Sequence, residues 1–205
     1  MPSMSSEVHH LPASVTQSVK IIVLGPFGVG KTTLINSVSE IRPLSTEETM
    51  TQYGQAVDDL ADLPDKTTTT VAMDFGRLTI GDDIALYLFG APGQPRFRTF
   101  VDDLMLGALG GIVLADTRRI DASFDHIDRL ENAGVPYVIT VNSFDGAPEY
   151  SEEELRQAFQ LDDDTPLVIC DARRRETAKL PLISLVRHLL AHTDASAPRP
   201  EPSRT

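Results

Sequence analysis

Apolar runs alternate along the chain with stretches of helical spacing. Residues 19–24 (VKIIVL) form a short, mostly apolar run that stops at a glycine, which predicts a buried strand, and residues 31–39 continue as a helix. Residues 71–78 and 84–89 predict two strands joined at Gly81-Asp82, a hairpin-like signal. Phe97, Phe100, Val101 and Leu104 fall at i, i+3, i+4 and i+7, one face of a helix. Residues 111–115 (GIVLA) predict the next buried strand, followed by a helix carrying Phe124, Ile127 and Leu130. Residues 135–141 (VPYVITV) are the fifth strand and 167–170 the sixth, and residues 180–190 close the pattern as a helix. Ser151 with Glu154 three positions on has the form of a capping box, with acids where the helix dipole favours them. Six strands alternating with helices predict a mainly parallel sheet covered on both faces, a three-layer α/β fold.

The ends and one internal stretch fall outside this alternation. Residues 1–18 and 193–205 are polar and Pro- or Ser-bearing, and offer too little apolar surface to offset ordering entropy. They are expected to be disordered tails around a folded domain at 19–192. Residues 45–65 are an acidic insert longer than most loops, which points to a helix of its own or to a switch role.

Charge narrows the function classes. The 205 residues hold 18 Lys+Arg against 30 Asp+Glu, a formal charge of −12. That balance argues against nucleic acid as a partner, because phosphate neutralisation needs a basic surface. It leaves room for a nucleotide, which is bound locally. A single cysteine, Cys170, excludes an intramolecular disulfide. With no run long enough to span a membrane and no readable signal peptide, the expected location is the cytoplasm.

The chemistry lies in Gly25-Pro26-Phe27-Gly28-Val29-Gly30-Lys31-Thr32, which matches G-x-x-x-x-G-K-[ST] between a predicted strand and a predicted helix. Glycines let backbone N–H groups curl around phosphate oxygens, and the helix N-terminus adds its positive dipole end. Lys31 would reach the β- and γ-phosphates, and the Thr32 hydroxyl would ligate Mg²⁺, with Thr33 beside it. The nucleotide's base is addressed by Asn142-Ser143-Phe144-Asp145 after the fifth strand, where guanine-specific proteins carry Asn-Lys-x-Asp. A carboxylate there accepts from guanine N1–H and the 2-amino group, which adenine lacks. Ser143 replaces the lysine and removes an aliphatic stem that would stack on the base. An ordinary Asx turn would look the same; the phosphate-binding loop upstream favours guanine.

Together with Thr67–Thr70, the strand Val71-Ala72-Met73-Asp74-Phe75-Gly76, and Ala91-Pro92-Gly93-Gln94, these motifs resemble a bacterial Ras-like small GTPase, and most closely the conservon-type GTPases of actinobacteria. That family is similar to the bacterial polarity GTPases of gliding motility. The resemblance spans about residues 19–190 and implies a P-loop NTPase with a Ras-like, mainly parallel six-stranded sheet, its second strand antiparallel to the rest. It implies that Thr70 is the switch I ligand to Mg²⁺, with Thr69 or Thr68 as the alternative registers. It makes Gln94 the residue orienting the attacking water and Gly93 the amide meeting the γ-phosphate. The loop Cys170-Asp171-Ala172-Arg173 falls where the family's last base-contacting loop lies, with the Ala172 amide directed to the guanine oxygen.

Two departures stand out. The position of the family's switch II aspartate is Gly90, with no carboxylate replacing it locally, and no arginine flanks Thr70. Arg96 and Arg98 follow Gln94 and are expected to be solvated charges, as are Arg173-Arg174-Arg175, Asp102-Asp103 and Asp162-Asp163-Asp164; His9-His10 is expected to be tail. The expected function is a GTP/GDP- and Mg²⁺-dependent molecular switch with slow hydrolysis. A nucleotide-binding scaffold and a P-loop ATPase or kinase are the alternatives, the last needing a basic lid that the 45–65 insert does not supply. The resemblance further implies a roadblock-type protein and a sensor-kinase-like protein as partners, with recruitment to a membrane through them.

Overall fold

The computed structural model describes residues 14–42, 44–50 and 69–196. Seven strands form one sheet: β1 (Gln17–Leu24), β2 (Leu44–Met50), β3 (Thr69–Ile80), β4 (Ile84–Gly90), β5 (Gly110–Ala115), β6 (Tyr137–Asn142) and β7 (Leu167–Cys170), in the spatial order β2-β3-β4-β1-β5-β6-β7. The pairs β1–β4, β1–β5, β5–β6 and β6–β7 are parallel, while β3 is antiparallel to both β2 and β4. All six predicted strands are present with the expected antiparallel member. The seventh, β2, comes out of the acidic insert. Its sequence LSTEETM has no apolar alternation, and it lies at the sheet's edge, where none is required.

Helices α1 (Lys31–Val38), α2 (Arg98–Met105), α3 (Phe124–Asn132), α4 (Glu152–Phe159), α5 (Arg175–Ala178) and α6 (Leu180–Ser196) cover the two faces. Side-chain alternation along β1 divides the core. Ile21 and Val23 pack with Leu34, Ile35, Leu114, Leu182 and Leu185, while Ile22 and Leu24 pack with Val101, Ile127, Leu130, Leu155 and Phe159. Each such side chain contributes roughly 1.5–3 kcal/mol by leaving water, so the end of β1 is anchored from both sides. The capping box at α4 is formed in both directions: the Glu154 amide donates to Ser151 Oγ at 3.3 Å, and the Ser151 amide to Glu154 Oε2 at 2.8 Å. The fifth predicted strand starts two residues late because Pro136 has no N–H for the ladder; its carbonyl instead accepts from Gly111 at 2.8 Å. α6 continues past the predicted end to Ser196. Among the described residues, no helix is long and apolar enough to cross a membrane.

Candidate nucleotide site

The phosphate-binding loop runs from the buried end of β1 to the first turn of α1. Gly25 (φ 140°) and Gly30 (φ 103°) hold left-handed backbone. A Cβ on Gly25 would lie 2.5 Å from the Leu114 carbonyl oxygen, and one on Gly30 would lie 2.5 Å from Asn142 Nδ2, so both positions are closed to side chains. Lys31 is only 8% exposed, and its Nζ donates to the carbonyls of Gly25 (2.7 Å) and Pro26 (2.9 Å). Burial pulls its pKa down to about 8, with the nearby Asp74 charge acting the other way. The ammonium is thus held over the loop with little solvent around it, which favours an anionic ligand.

Thr32 Oγ1 donates to Asp74 Oδ2 at 2.6 Å. Asp74 on β3 is the cross-strand partner of Gly90 on β4. A Cβ built on Gly90 would meet Asp74 Cβ at 3.0 Å and Asp74 Oδ2 at 3.3 Å. A carboxylate from the neighbouring strand thus lies beside position 90, where the sequence showed none locally, because residues directly opposed on antiparallel strands put their side chains side by side on one face. A hydroxyl and a carboxylate in contact at the mouth of a phosphate loop form an all-oxygen donor set that fits Mg²⁺. Among the described residues, no cluster of three or more His, Cys, Asp or Glu could hold a metal by itself.

A cleft of about 590 Å³ brings together Phe27, Gly28, Gly30, Lys31, Thr32 and Thr33 with Asp74, Pro92, Gly93, Gln94 and Arg96. Gly93 lies directly on the loop backbone. A Cβ there would come within 2.5 Å of the Phe27 nitrogen and 2.7 Å of the Gly25 oxygen, so only glycine fits. Gln94 leads into a 3₁₀ turn at Pro95–Phe97, its carbonyl accepting from the Phe97 amide at 3.0 Å. Of the two arginines after it, Arg96 lines the cleft with its guanidinium 4.7 Å from the Phe97 ring centre, whereas Arg98 pairs with Asp125 on α3 at 3.1 Å. Thr69 and Thr70 open β3 rather than preceding it, and their side chains lie outside the described ones. Thr67 and Thr68 lie outside the described residues altogether.

On the base side, Asn142 is 5% exposed and ties three loops together. Its Nδ2 donates to the Val29 carbonyl at 2.9 Å, and its Oδ1 accepts from the Ala172 amide at 2.9 Å. The Ala172 amide, expected to meet a guanine oxygen, is therefore already engaged, and Asn142 acts as a brace between the phosphate loop and the loop after β7. Asp145 is 86% exposed and lies against Arg173, which also pairs with Asp171. Hydrogen bonds from Arg173 hold both carboxyls below the usual range. Arg173 is thus a solvent-exposed charge, as the run of three arginines suggested, but one paired with two carboxylates of neighbouring loops. Arg119 is another residue that sequence reasoning passed over: its Nη2 donates to the Phe27 carbonyl at 3.2 Å, bracing the phosphate loop from the end of β5.

No curated protein sequence matches the chain. The solved G domain of the T. maritima FeoB iron transporter superposes with a TM-score of 0.57 at 19% identity, covering 86% of this chain and 99% of that one. The cytosolic domain of the same transporter, in apo form, gives a TM-score of 0.60 at 19% identity over 84% of this chain and 64% of that one. These likenesses establish the fold of a G domain. The profile of one sequence family, described as "Conserved hypothetical ATP binding protein", matches residues 23–192, and the chain belongs to that family.

Proposed function

We propose that this protein is a guanine-nucleotide-operated switch of the conservon type, binding GTP and GDP with Mg²⁺ and hydrolysing GTP slowly. The observation that carries the proposal is the convergence of Lys31, Thr32, Asp74, Gly93 and Gln94 on one cleft at the mouth of a phosphate-binding loop. In this reading Lys31 neutralises the β- and γ-oxygens, and the Gly93 amide meets the γ-phosphate. Thr32 and Asp74 would hold Mg²⁺, joined by Thr70 from switch I. When bound, Mg²⁺ would neutralise negative charge on the phosphates. Gln94 orients the water that attacks the γ-phosphorus, giving GDP and inorganic phosphate. Loss of the γ-phosphate then releases Thr70 and Gly93, and with them the two switch segments.

Guanine is favoured by Asp145, whose two carboxylate oxygens already accept a fork of two N–H donors. The family's description favours ATP, and this is the second reading. Titration with fluorescent GDP and ADP separates them. The guanine reading expects GDP to bind far more tightly, and Asp145→Asn to weaken GDP while gaining xanthosine diphosphate, whose C2 oxygen accepts where guanine donates. Equal affinity for the two parent nucleotides would overturn it in favour of an ATPase. In the switch reading, a roadblock-type protein and a sensor-kinase-like protein are the partners, and they carry the domain to a membrane.

A further inference from the structure

Arg173 presents two roughly parallel N–H groups to the two oxygens of one carboxylate. Its Nη1 donates to Asp145 Oδ2 at 2.9 Å and its Nη2 to Asp145 Oδ1 at 3.0 Å. That is the pattern in which guanine would offer its N1–H and 2-amino group to the same carboxylate. A second carboxylate grips the other side of the guanidinium: Nε donates to Asp171 Oδ1 at 2.9 Å and Nη2 to Asp171 Oδ2 at 3.0 Å. Asp171 is itself fixed by the Arg173 amide at 3.0 Å. The arginine therefore bridges the loop after β6 and the loop after β7, the two loops that would frame a base. Planar, fork-shaped donors suit such bidentate pairing, and a lysine ammonium would not reproduce it.

We propose that Arg173 is an internal competitor for the base site, its guanidinium standing in for the guanine edge on Asp145 until nucleotide displaces it. The inference rests on the guanine reading of Asp145. Every guanine nucleotide must break the Arg173–Asp145 pair before it gains its own contacts with that carboxylate. Asp171 retains the displaced side chain close by, ready to return when the base leaves. The cost falls on the base and not on the phosphates, so GDP and GTP are penalised equally. It also falls on association: release of nucleotide does not require the pair to break.

The test compares the full-length parent with Arg173→Ala, Arg173→Lys and the control Arg174→Ala, which removes the same charge from the adjacent residue. Equilibrium titration and stopped-flow binding of fluorescent GDP, GTP and ADP are read for each. Arg173→Ala is expected to bind GDP and GTP about two- to fivefold more tightly, the range that exposed ion pairs support, with the gain in the association rate. Arg173→Lys should fall between, Arg174→Ala should show no gain, and high salt should narrow the gap between parent and Arg173→Ala by screening the pair. Unchanged or weaker guanine-nucleotide binding by Arg173→Ala, in a parent that prefers GDP over ADP, overturns the competitor role alone. A parent that does not prefer GDP overturns the guanine reading on which it rests.

Discussion

Asp74→Asn isolates the charge of the proposed Mg²⁺-supporting carboxylate from its shape. The amide oxygen of the variant can still accept the Thr32 hydroxyl, which in the parent donates at 2.6 Å, so the local packing is kept while the charge is lost. Groups that support a metal through its ligands are worth about 10–100-fold in metal affinity, or roughly 1.4–2.7 kcal/mol at 1.36 kcal/mol per decade. The Mg²⁺ concentration that half-maximally slows release of fluorescent GDP should rise by that factor. Without Mg²⁺, the same variant should hold nucleotide as well as or better than the parent, since a negative charge near the phosphates has gone. These opposite signs distinguish a metal-supporting carboxylate from general damage. The double variant Asp74→Gly/Gly90→Asp moves the carboxylate back to β4. Removing the Asp74 side chain clears the contact that a Cβ on Gly90 would make at 3.0 Å, and only the Ile35 methyl at 2.8 Å must swing aside. The swap should recover the Mg²⁺ response, and Gly90→Asp alone should not. An Asp74→Asn protein that melts normally and shows the parent's Mg²⁺ dependence refutes the assignment.

Two further outcomes follow from the same cleft. Because burial pulls Lys31 down to about 8 in the free protein, triphosphate affinity should be flat below that pH and fall toward tenfold per unit above it, as binding comes to require proton uptake. The stability of the free protein should move the other way, rising between about 8 and the ordinary lysine value of 10.5, where the unfolded chain binds the extra proton. Calorimetric titration on either side of pH 8 checks the first effect, and Lys31→Ala should abolish triphosphate binding; a flat profile in the parent refutes the reasoning. Basal hydrolysis should be no faster than about 10⁻³ s⁻¹, the range of a glutamine-only site. Gln94→Leu should lower it without weakening GTP binding, and Arg96→Ala should leave it unchanged. Single-turnover rates near ~1 s⁻¹, lost in Arg96→Ala, would instead make Arg96 a cis catalytic arginine.

The parts of the site legible in the chain are those in which neighbours in sequence are also neighbours in space. Gly25–Thr32 is such a segment: strand, glycine turn and helix start are consecutive, and the backbone that cradles a phosphate is local. Pro92-Gly93-Gln94 is another, though the reason for Gly93, its contact with the Phe27 nitrogen, is long-range. Asp74 was visible as a residue but not as a partner, and the missing information is one residue of register. A two-residue turn at Gly81-Asp82 would put Asp74 opposite Phe89, facing away from Gly90. The observed turn holds Asp83 as well, pairing Ile80 with Ile84, so six positions back on one strand and six forward on the other bring Asp74 opposite Gly90. Because side chains alternate with a period of two, that single residue decides which face the carboxylate occupies. The polar edge strand β2 and the Arg173 clamp were hidden for a related reason. An edge strand has no obligatory apolar alternation, and a run of three arginines looks uniform in sequence although it is the first that pairs with Asp145.

With Asp74 as the proposed Mg²⁺ support, its place on β3 would also constrain how the two proposed switch segments can move. In the arrangement implied by the family resemblance, the supporting aspartate sits on the strand that leads into switch II. Here Asp74 sits on β3, four residues beyond Thr70, so the residue expected to sense the γ-phosphate and the carboxylate proposed to support Mg²⁺ belong to the same strand. A shift of β3 along β4 by one residue would turn Asp74 away from Thr32, and a shift by two would carry it about 7 Å along the sheet. In the proposed site, the register of the β3–β4 hairpin and binding of Mg²⁺ would therefore be coupled by geometry. Anything that holds β3 in register with β4, including the β2 strand paired along its other edge, would strengthen the hold on Mg²⁺, and by linkage Mg²⁺ and nucleotide would stabilise that register in return. Hydrogen exchange at the β3–β4 amides should thus slow on adding Mg²⁺ with GDP to the parent and much less in Asp74→Asn, because only the parent's β3 is tied to the ion by a carboxylate.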